Sequence, residues 1–125
     1  MRRERLTRAH RLRSSLEIAQ AKAAGRAFRG AHCLILVHAV PGVPTRIGFV
    51  ASRRGVGGAV ERNRARRRLR EIVRRRWPRL AAAGFHVLVI AHRSALTAPH
   101  QELATELERL FADAGVLAPL EGPRP

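Results

Sequence analysis

Residues 58–77 read GAVERNRARRRLREIVRRRW, and this stretch decides how the rest of the chain must pack. Gly57 and Gly58 stand at its start and Pro78 follows its end, so the pattern predicts a helix from about Gly58 to Trp77. At about 100° per residue, the apolar side chains fall on one side of that helix. Those side chains are Ala65, Leu69, Ile72, Val73 and Trp77. We therefore expect this side to be buried in the core.

The other side of the predicted helix is cationic. It carries Asn63, Arg67, Arg70 and Arg74, with Arg64 at its edge, and Arg62 and Arg66 flank the apolar side. From Arg53 to Arg79 the chain has twelve arginines and only two acids. A helix that is merely solvated usually alternates its charges, whereas crowded like charges call for an anionic partner. Arginine also holds phosphate through two parallel hydrogen bonds. The pattern favours binding to a polyanion over an ordinary surface helix.

Composition narrows the classes of partner. The chain has 125 residues and a formal charge of +16, which fits one modest domain that binds nucleic acid or, second, an acidic membrane surface. Its one cysteine, Cys33, lies in an apolar run and is expected to be buried. We find no secretory signal and no apolar stretch of the roughly 20 residues that span a bilayer, so we expect a cytoplasmic protein.

The remaining patterns predict an α+β fold with the order α-β-β-α-β-α. Ser14 or Ser15 starts a helix that runs to about Ala24, and a last helix covers about Pro99 to Ala114. Strands are expected over residues 31–40 and 46–52, paired as a hairpin, and over residues 85–91. The arginine helix then joins the second and third strands in a β-α-β crossover. We expect a flexible basic arm over residues 1–13, one domain over 14–114 and a disordered tail over 115–125.

The sequence predicts no catalytic residue and no metal site in the protein. Its six histidines are scattered, although the pairs His32/His38 and His86/His92 would each share a sheet face. No carboxylate or thiol cluster completes a metal site around them. Ser94 has no evident base nearby in the sequence, and the glycines at 55–58 lack the lysine of a phosphate-binding loop.

The order of motifs resembles the protein subunit of bacterial ribonuclease P over about residues 11–111. The most specific part is an arginine-asparagine-arginine signature, here Arg62-Asn63-Arg64, with further arginines at the family's spacing. Before it, RIGFVASRR at residues 46–54 resembles the family's strand that ends in a serine and two basic residues. GGAV at residues 57–60 is similar to the family's turn, and VLVIA at 87–91 to its last strand.

This resemblance implies a compact two-layer α/β sandwich with a left-handed crossover, similar to domain IV of elongation factor G. It also implies that residues 14–114 form an RNA-binding domain. The RNA contacts would be Arg53, Arg54, Arg62, Asn63, Arg64, Arg66, Arg67, Arg70 and Arg74. The single-stranded leader would lie in a cleft between the first helix and the sheet, with Arg11, Ile18, Lys22 and Phe49 as candidates. Ile18 and Lys22 stand where the family usually has two phenylalanines, so an aliphatic floor and one ammonium group replace the aromatic pair.

The function implied by the resemblance is removal of the 5′ leader from precursor tRNA. The catalytic RNA would carry out the hydrolysis with Mg²⁺ bound to the RNA, and the protein would bind no cofactor and no small-molecule substrate. Its partners would be one ribonuclease P RNA per protein, and precursor tRNA, with no membrane contact. Three rival classes stay open: a general RNA- or DNA-binding module, a membrane-surface protein and a nuclease in its own right. Selective binding to one structured RNA would argue against a general nucleic-acid-binding module. Binding to anionic vesicles would indicate the membrane-surface class, and cleavage by the protein alone would indicate a nuclease.

Overall fold

The computed structural model describes residues 6–118 and contains three helices and four strands. In chain order these are α1 (Ser15–Ala24), β1 (Arg26–Arg29), β2 (Cys33–Pro44), β3 (Arg46–Val50), α2 (Ala59–Arg76), β4 (Ala83–Ala91) and α3 (His100–Asp113). Short 3-10 turns lie at Arg8–His10, Trp77–Arg79 and Arg93–Leu96. The α+β class is therefore confirmed.

The helices begin and end close to where the sequence predicted. Ser14 caps α1, since its hydroxyl accepts a hydrogen bond from the Glu17 amide at 3.2 Å. Gly58 precedes α2, and the 3-10 turn with Pro78 follows it. After α3 the chain reverses at Gly115, whose φ of +77° lies in the left-handed region that glycine adopts most easily.

The predicted hairpin between the strands at 31–40 and 46–52 is wrong. The sheet has the order β1-β2-β4-β3, so β4 lies between those two strands, antiparallel to β2 and parallel to β3. The hairpin partner of β2 is β1, a short strand that the sequence analysis missed. Because β3 and β4 are adjacent, parallel and joined through α2, the predicted β-α-β crossover is present. Its handedness stays a prediction.

The two faces of the sheet carry different helices. Ile35, Val89 and their neighbours on the same face pack with Leu69 of α2 and Leu107 of α3 in the larger core. The alternate residues Leu36 and Leu88 point to the other face and pack with Ala21 of α1. Of the five apolar residues predicted for the buried side of this helix, the first four are buried, and Trp77 is partly buried in the 3-10 turn that follows α2. The sheet thus has α2 and α3 on one face and α1 on the other, so helices cover both of its faces.

Both ends of the domain extend beyond the predicted boundaries of 14 and 114. Leu12 is 4% exposed, and its amide donates to the Ile47 carbonyl at 2.9 Å. At the other end, Val116 is 2% exposed and its carbonyl accepts from the Ala81 amide at 2.9 Å. Apolar side chains at these positions are buried, so the chain there packs on the domain and is not free. The arm over residues 1–5 and the tail over 119–125 lie outside the described residues.

One buried carboxylate fixes the turn between β1 and β2. Glu106 of α3 is 8% exposed and accepts hydrogen bonds from the amides of Ala31, His32 and Cys33 at 2.9–3.2 Å. The Cys33 thiol also donates to it at 3.3 Å. Burial raises the pKa of that thiol, and the nearby Glu106 raises it further. Glu106 thus acts as the anchor of the turn, and Cys33 is buried as predicted.

A row of polar side chains crosses the α1 face of the sheet. His86 lies opposite His38 on β2 and opposite Arg46 on β3, and it is only 4% exposed. The two imidazole rings are 6.4 Å apart, and neither Nδ1 atom has a hydrogen-bond partner among the described residues. Burial lowers the pKa of His86, Glu17 opposes that shift, and His38 and Arg46 add to it. The folded protein therefore favours the neutral form of His86 more than the unfolded chain does.

This row predicts that the protein loses stability as the pH falls below about 6.5, the ordinary pKa of histidine. Below that value the unfolded chain binds a proton at His86 more readily than the folded chain does, so acid favours unfolding. Urea unfolding at several pH values between 7.5 and 5.5 measures the effect. The free energy of unfolding of His86→Gln should depend less steeply on pH than that of the wild type. Equal pH dependence in both proteins would contradict the prediction.

Candidate nucleic-acid interface

The outward side of α2 has two groups of arginines with different partners. Arg74 donates to both carboxylate oxygens of Glu71 at 3.0 and 2.5 Å, and Arg75 lies 3.5 Å from the same group. The hydrogen bond from Arg74 lowers the pKa of Glu71. The second group lies nearer the start of the helix and forms no ion pair with a described residue. We call it the arginine face: Arg62, Arg64, Arg66, Arg67 and Arg70.

Arg70 is the most crowded member of the arginine face. Its guanidinium carbon lies 5.6 Å from the centre of the Phe49 ring. Burial lowers the pKa of Arg70, and the positive charges of Arg11 and Arg66 lower it further. Its Nε atom is buried without a hydrogen-bond partner among the described residues. Because the cations disfavour one another here, an anion placed among them would be bound well.

Asn63 has a partner within the helix. Its side-chain oxygen accepts a hydrogen bond from Nη2 of Arg66 at 2.6 Å, across the i, i+3 spacing that brings helical neighbours together. Both residues remain accessible, with Asn63 exposed and Arg66 partly exposed. The amide thus orients one guanidinium group, which the sequence alone did not indicate.

Arg68 points away from the arginine face and has a structural role. It donates to the carbonyl oxygens of Ala95 and Ala98 at 2.6 and 2.5 Å. These contacts attach α2 to the segment that follows β4. Toward the end of the helix, Arg76 and Arg79 pair with Glu108 of α3 at 3.1 and 3.2 Å. Part of the arginine run therefore holds the fold together.

The loop before α2 presents Arg53 and Arg54 to solvent. Its Val56 side chain is buried, and the Ser52 hydroxyl accepts a hydrogen bond from the Gly55 amide at 2.8 Å. The Arg93 guanidinium donates to the Val56 carbonyl and lies beside Gly57, whose φ is +142°. The loop is therefore a fixed support for two exposed arginines, and the sequence analysis gave Arg93 no part in it.

The four candidates for the leader cleft separate into two places. Ile18 is partly buried and packs with Leu12, Leu36 and Leu88 on the α1 face of the sheet, and Lys22 is exposed one turn later. Phe49 lies on the opposite face, because it alternates with Val50 and shares the α2 face with Ile47. Arg11, whose backbone pairs with Ile47 of β3, lies close enough to Arg70 for its positive charge to lower the pKa of Arg70. Phe49 and Arg11 therefore lie beside the arginine face. Of the four candidates, Ile18 and Lys22 are the two that belong to α1.

Ser94 does have a base nearby, so the expectation for this residue was wrong. His32 Nδ1 lies 2.8 Å from the Ser94 hydroxyl, and His32 Nε2 lies 2.6 Å from a Glu102 carboxylate oxygen. The same hydroxyl donates to the Ala31 carbonyl at 3.3 Å. These bonds connect the β1–β2 turn, the turn at 93–96 and α3. The sequence separation of 62 residues between the two side chains hid the contact.

Metal-binding clusters and membrane-spanning helices are both absent from the part of the chain that the structure describes. Within residues 6–118, no group of three or more histidine, cysteine or acidic side chains is placed to hold a metal ion. None of the helices in that range is both long enough and apolar enough to cross a membrane.

Comparisons with known proteins agree with the motifs. The family model for ribonuclease P matches residues 6–115. A ribonuclease P protein component of Symbiobacterium thermophilum is 44% identical over 115 residues, covering 90% of this chain and 96% of the relative. One from Chloroflexus aurantiacus is 39% identical over 112 residues, covering 90% and 82%.

Solved structures give the same result for the backbone. The RNase P protein of Staphylococcus aureus superposes with a TM-score of 0.74 at 19% identity, covering 86% of this chain and 97% of that one. The protein from Thermotoga maritima gives 0.71 at 23% identity, covering 90% and 98%. At these identities the structural likeness supports the fold alone.

Proposed function

This chain belongs to the ribonuclease P protein family, the protein components of an endoribonuclease complex in tRNA processing, and from that premise we propose how it works. It binds the catalytic RNA through the arginine face and the 5′ leader of precursor tRNA beside α1. The RNA cuts the leader, and the protein makes that step efficient at low Mg²⁺. One protein binds one RNA, in the cytoplasm.

The observation that carries this proposal is that no member of the arginine face forms an ion pair with a residue in the described range. Arg62, Arg66 and Arg70 lie along one side of α2, and Arg11 approaches the same place from the N-terminal segment. Arg53 and Arg54 extend the charge at the start of the helix. We infer that phosphates of a folded RNA are the anions that this surface meets. Each phosphate contact should steepen the dependence of log affinity on log salt concentration by roughly 0.7–0.9.

The protein supplies position and charge, and the RNA supplies the reactive metal. Three of the described carboxylates already have partners, since Glu71 and Glu108 pair with arginines and Glu106 holds the turn. We assign the reactive Mg²⁺ to the RNA, as the family resemblance implies. Neutralised phosphates let RNA strands approach one another, so the RNA needs less free Mg²⁺ to form its active structure.

The test is cleavage of a precursor tRNA by ribonuclease P RNA at low Mg²⁺, with and without this protein. We expect the protein to increase the rate, with the cut at the mature 5′ end. RNA-free protein should cut nothing, which separates this function from a nuclease in its own right. Tight RNA binding without any stimulation would overturn the proposal and leave a general RNA-binding module. Binding to anionic vesicles would point instead to the membrane-surface alternative.

Ile18→Ala should weaken binding of precursor tRNA by about five- to tenfold, the value of roughly 1 kcal/mol of apolar contact. Binding of mature tRNA should change little, since mature tRNA has no leader to meet α1. The two affinities can be measured with the assembled RNA–protein complex. Leu16→Ala is a matched control on the same helix, because Leu16 is 68% exposed and has no core role. Equal losses for precursor and mature tRNA would contradict a leader contact at Ile18.

A further inference from the structure

A groove of about 350 Å³ lies at the edge of the sheet farthest from the arginine face. One wall is Arg26 and Phe28 of β1, and another is Phe85 of β4. Both phenylalanines are partly buried and pack against the core, so their positions are fixed. The Arg26 guanidinium carbon lies 5.1 Å from the centre of the Phe28 ring. The groove thus combines a stacked, planar cation with aromatic and aliphatic walls.

The surroundings of the groove are basic. Arg26 and Arg29 are exposed, and neither forms an ion pair with any residue in the described range. Lys22 lies two residues before Ala24, which lines the groove, and it too is exposed and free of ion pairs there. β1 is an edge strand with β2 as its one neighbour. The charge therefore favours an anionic ligand, and the flat guanidinium favours one that carries an aromatic ring.

We propose that this groove binds a nucleotide of single-stranded RNA, with its base against the guanidinium group of Arg26 and the phenylalanine walls. The proposal rests on the proposed function, because it takes RNA as the partner. It adds a contact at the β1 edge of the sheet, where Ala24 at the end of α1 also lines the groove. Bases stack on arginine planes and aromatic rings regardless of sequence. The groove would therefore bind a single-stranded segment without specificity for its base sequence.

A second copy of the chain fits this edge less well. Two β1 strands paired in antiparallel would bring the arginines at 26 and 29 of one copy opposite those of the other. Like charges directly opposite one another destabilise a strand pair. An RNA strand has the opposite charge and needs no strand pairing.

The experiment uses the full chain and a 12-nucleotide oligouridylate that carries one 4-thiouridine and a fluorescent label. Anisotropy at about 0.3 M salt gives the affinity, since phosphate contacts contribute less there and stacking remains. We expect Arg26→Gln to weaken binding about five- to tenfold, at the low end of the range measured for loss of one stacked base. Arg26→Lys should weaken the affinity nearly as much, because lysine keeps the positive charge but lacks the planar guanidinium group that stacks on a base. Photocrosslinking should attach the oligonucleotide to the peptide that contains Phe28.

Arg109→Gln is the matched control, because it removes the same charge from an exposed arginine on α3 and should change the affinity less than twofold. The groove proposal would be overturned if Arg26→Gln changed the affinity no more than this control does. Crosslinks confined to α1 and α2 would overturn it as well. Equal binding of polyglutamate would do so as well, since that polymer has charge without bases. If the wild type stimulates tRNA cleavage and the crosslink is absent, only the groove proposal fails. If stimulation is absent, the proposed function fails first.

Discussion

Glu106→Ala is expected to lower the free energy of unfolding by about 3–5 kcal/mol, which is a large share of the ~5–15 kcal/mol typical of a domain. The change leaves the amides of Ala31, His32 and Cys33 without their acceptor, and a buried unsatisfied donor costs about 1–3 kcal/mol. Water can reach part of the turn, because Ala31 is exposed, so the three costs do not simply add. Urea unfolding followed by circular dichroism gives the value.

Two other substitutions test whether the loss of stability comes from the missing acceptor of the turn amides. Glu106→Gln keeps one oxygen but turns an amide NH₂ toward N–H donors, so its effect should lie between those of wild type and alanine. Asp113→Ala, on the same helix, removes an exposed carboxylate 3.7 Å from Arg109 and should change stability by less than about 0.5–1 kcal/mol. If Glu106→Ala unfolds at the same urea concentration as Asp113→Ala, Glu106 does not anchor the turn.

The double variant Arg66→Gln/Arg70→Gln should bind ribonuclease P RNA at least about 100-fold more weakly than wild type. Charge-assisted hydrogen bonds contribute about 1.5–3 kcal/mol each, and two of them are lost. The slope of log affinity against log salt should fall by roughly 1.5. The free energy of unfolding should stay the same or rise, because the positive charges of Arg11 and Arg66 repel that of Arg70 in the RNA-free protein. Filter binding across a salt series and urea unfolding measure these quantities.

Arg75→Gln/Arg109→Gln is the control for total charge. It removes two charges from exposed arginines that already pair with Glu71 and Asp113. General attraction to RNA falls equally in both double variants, so a larger loss at positions 66 and 70 reports direct contact. Equal losses would mean that the arginine face acts only through net charge.

The helices were predictable because their signals are local. Caps, glycines and the 3.6-residue period fixed α1, α2 and α3 within a few residues. The pairing of strands was not predictable in the same way, because alternation tells which residues face a core and not which strand is the neighbour. β2 and β3 are close in sequence and suggested a hairpin, yet β4 lies between them. β1 was missed because two of its four residues are arginines and its burial pattern is weak.

The candidate interface was predictable in outline. The helical period placed most of the arginines on the outward side, and within residues 6–118 no member of the arginine face has an ion-pair partner. Which arginines serve the fold depends on distant residues: Arg68 meets carbonyls near residue 96, and Arg76 meets Glu108. The position of Phe49 was within reach, since the strand period assigns it the same face as Ile47. The contact between His32 and Ser94 was not, because it needs the full topology.

The central place of β4 sets the order in which the protein can assemble during synthesis. β2 and β3 pair with β4 and not with each other, so neither inner pairing exists until residues 83–91 have been made. A chain that ends before residue 83 contains the arginine helix but lacks the strand that joins the two halves of the sheet. Contacts between distant segments form slowly compared with helices. During translation, the charged helix is therefore complete before the sheet that will support it.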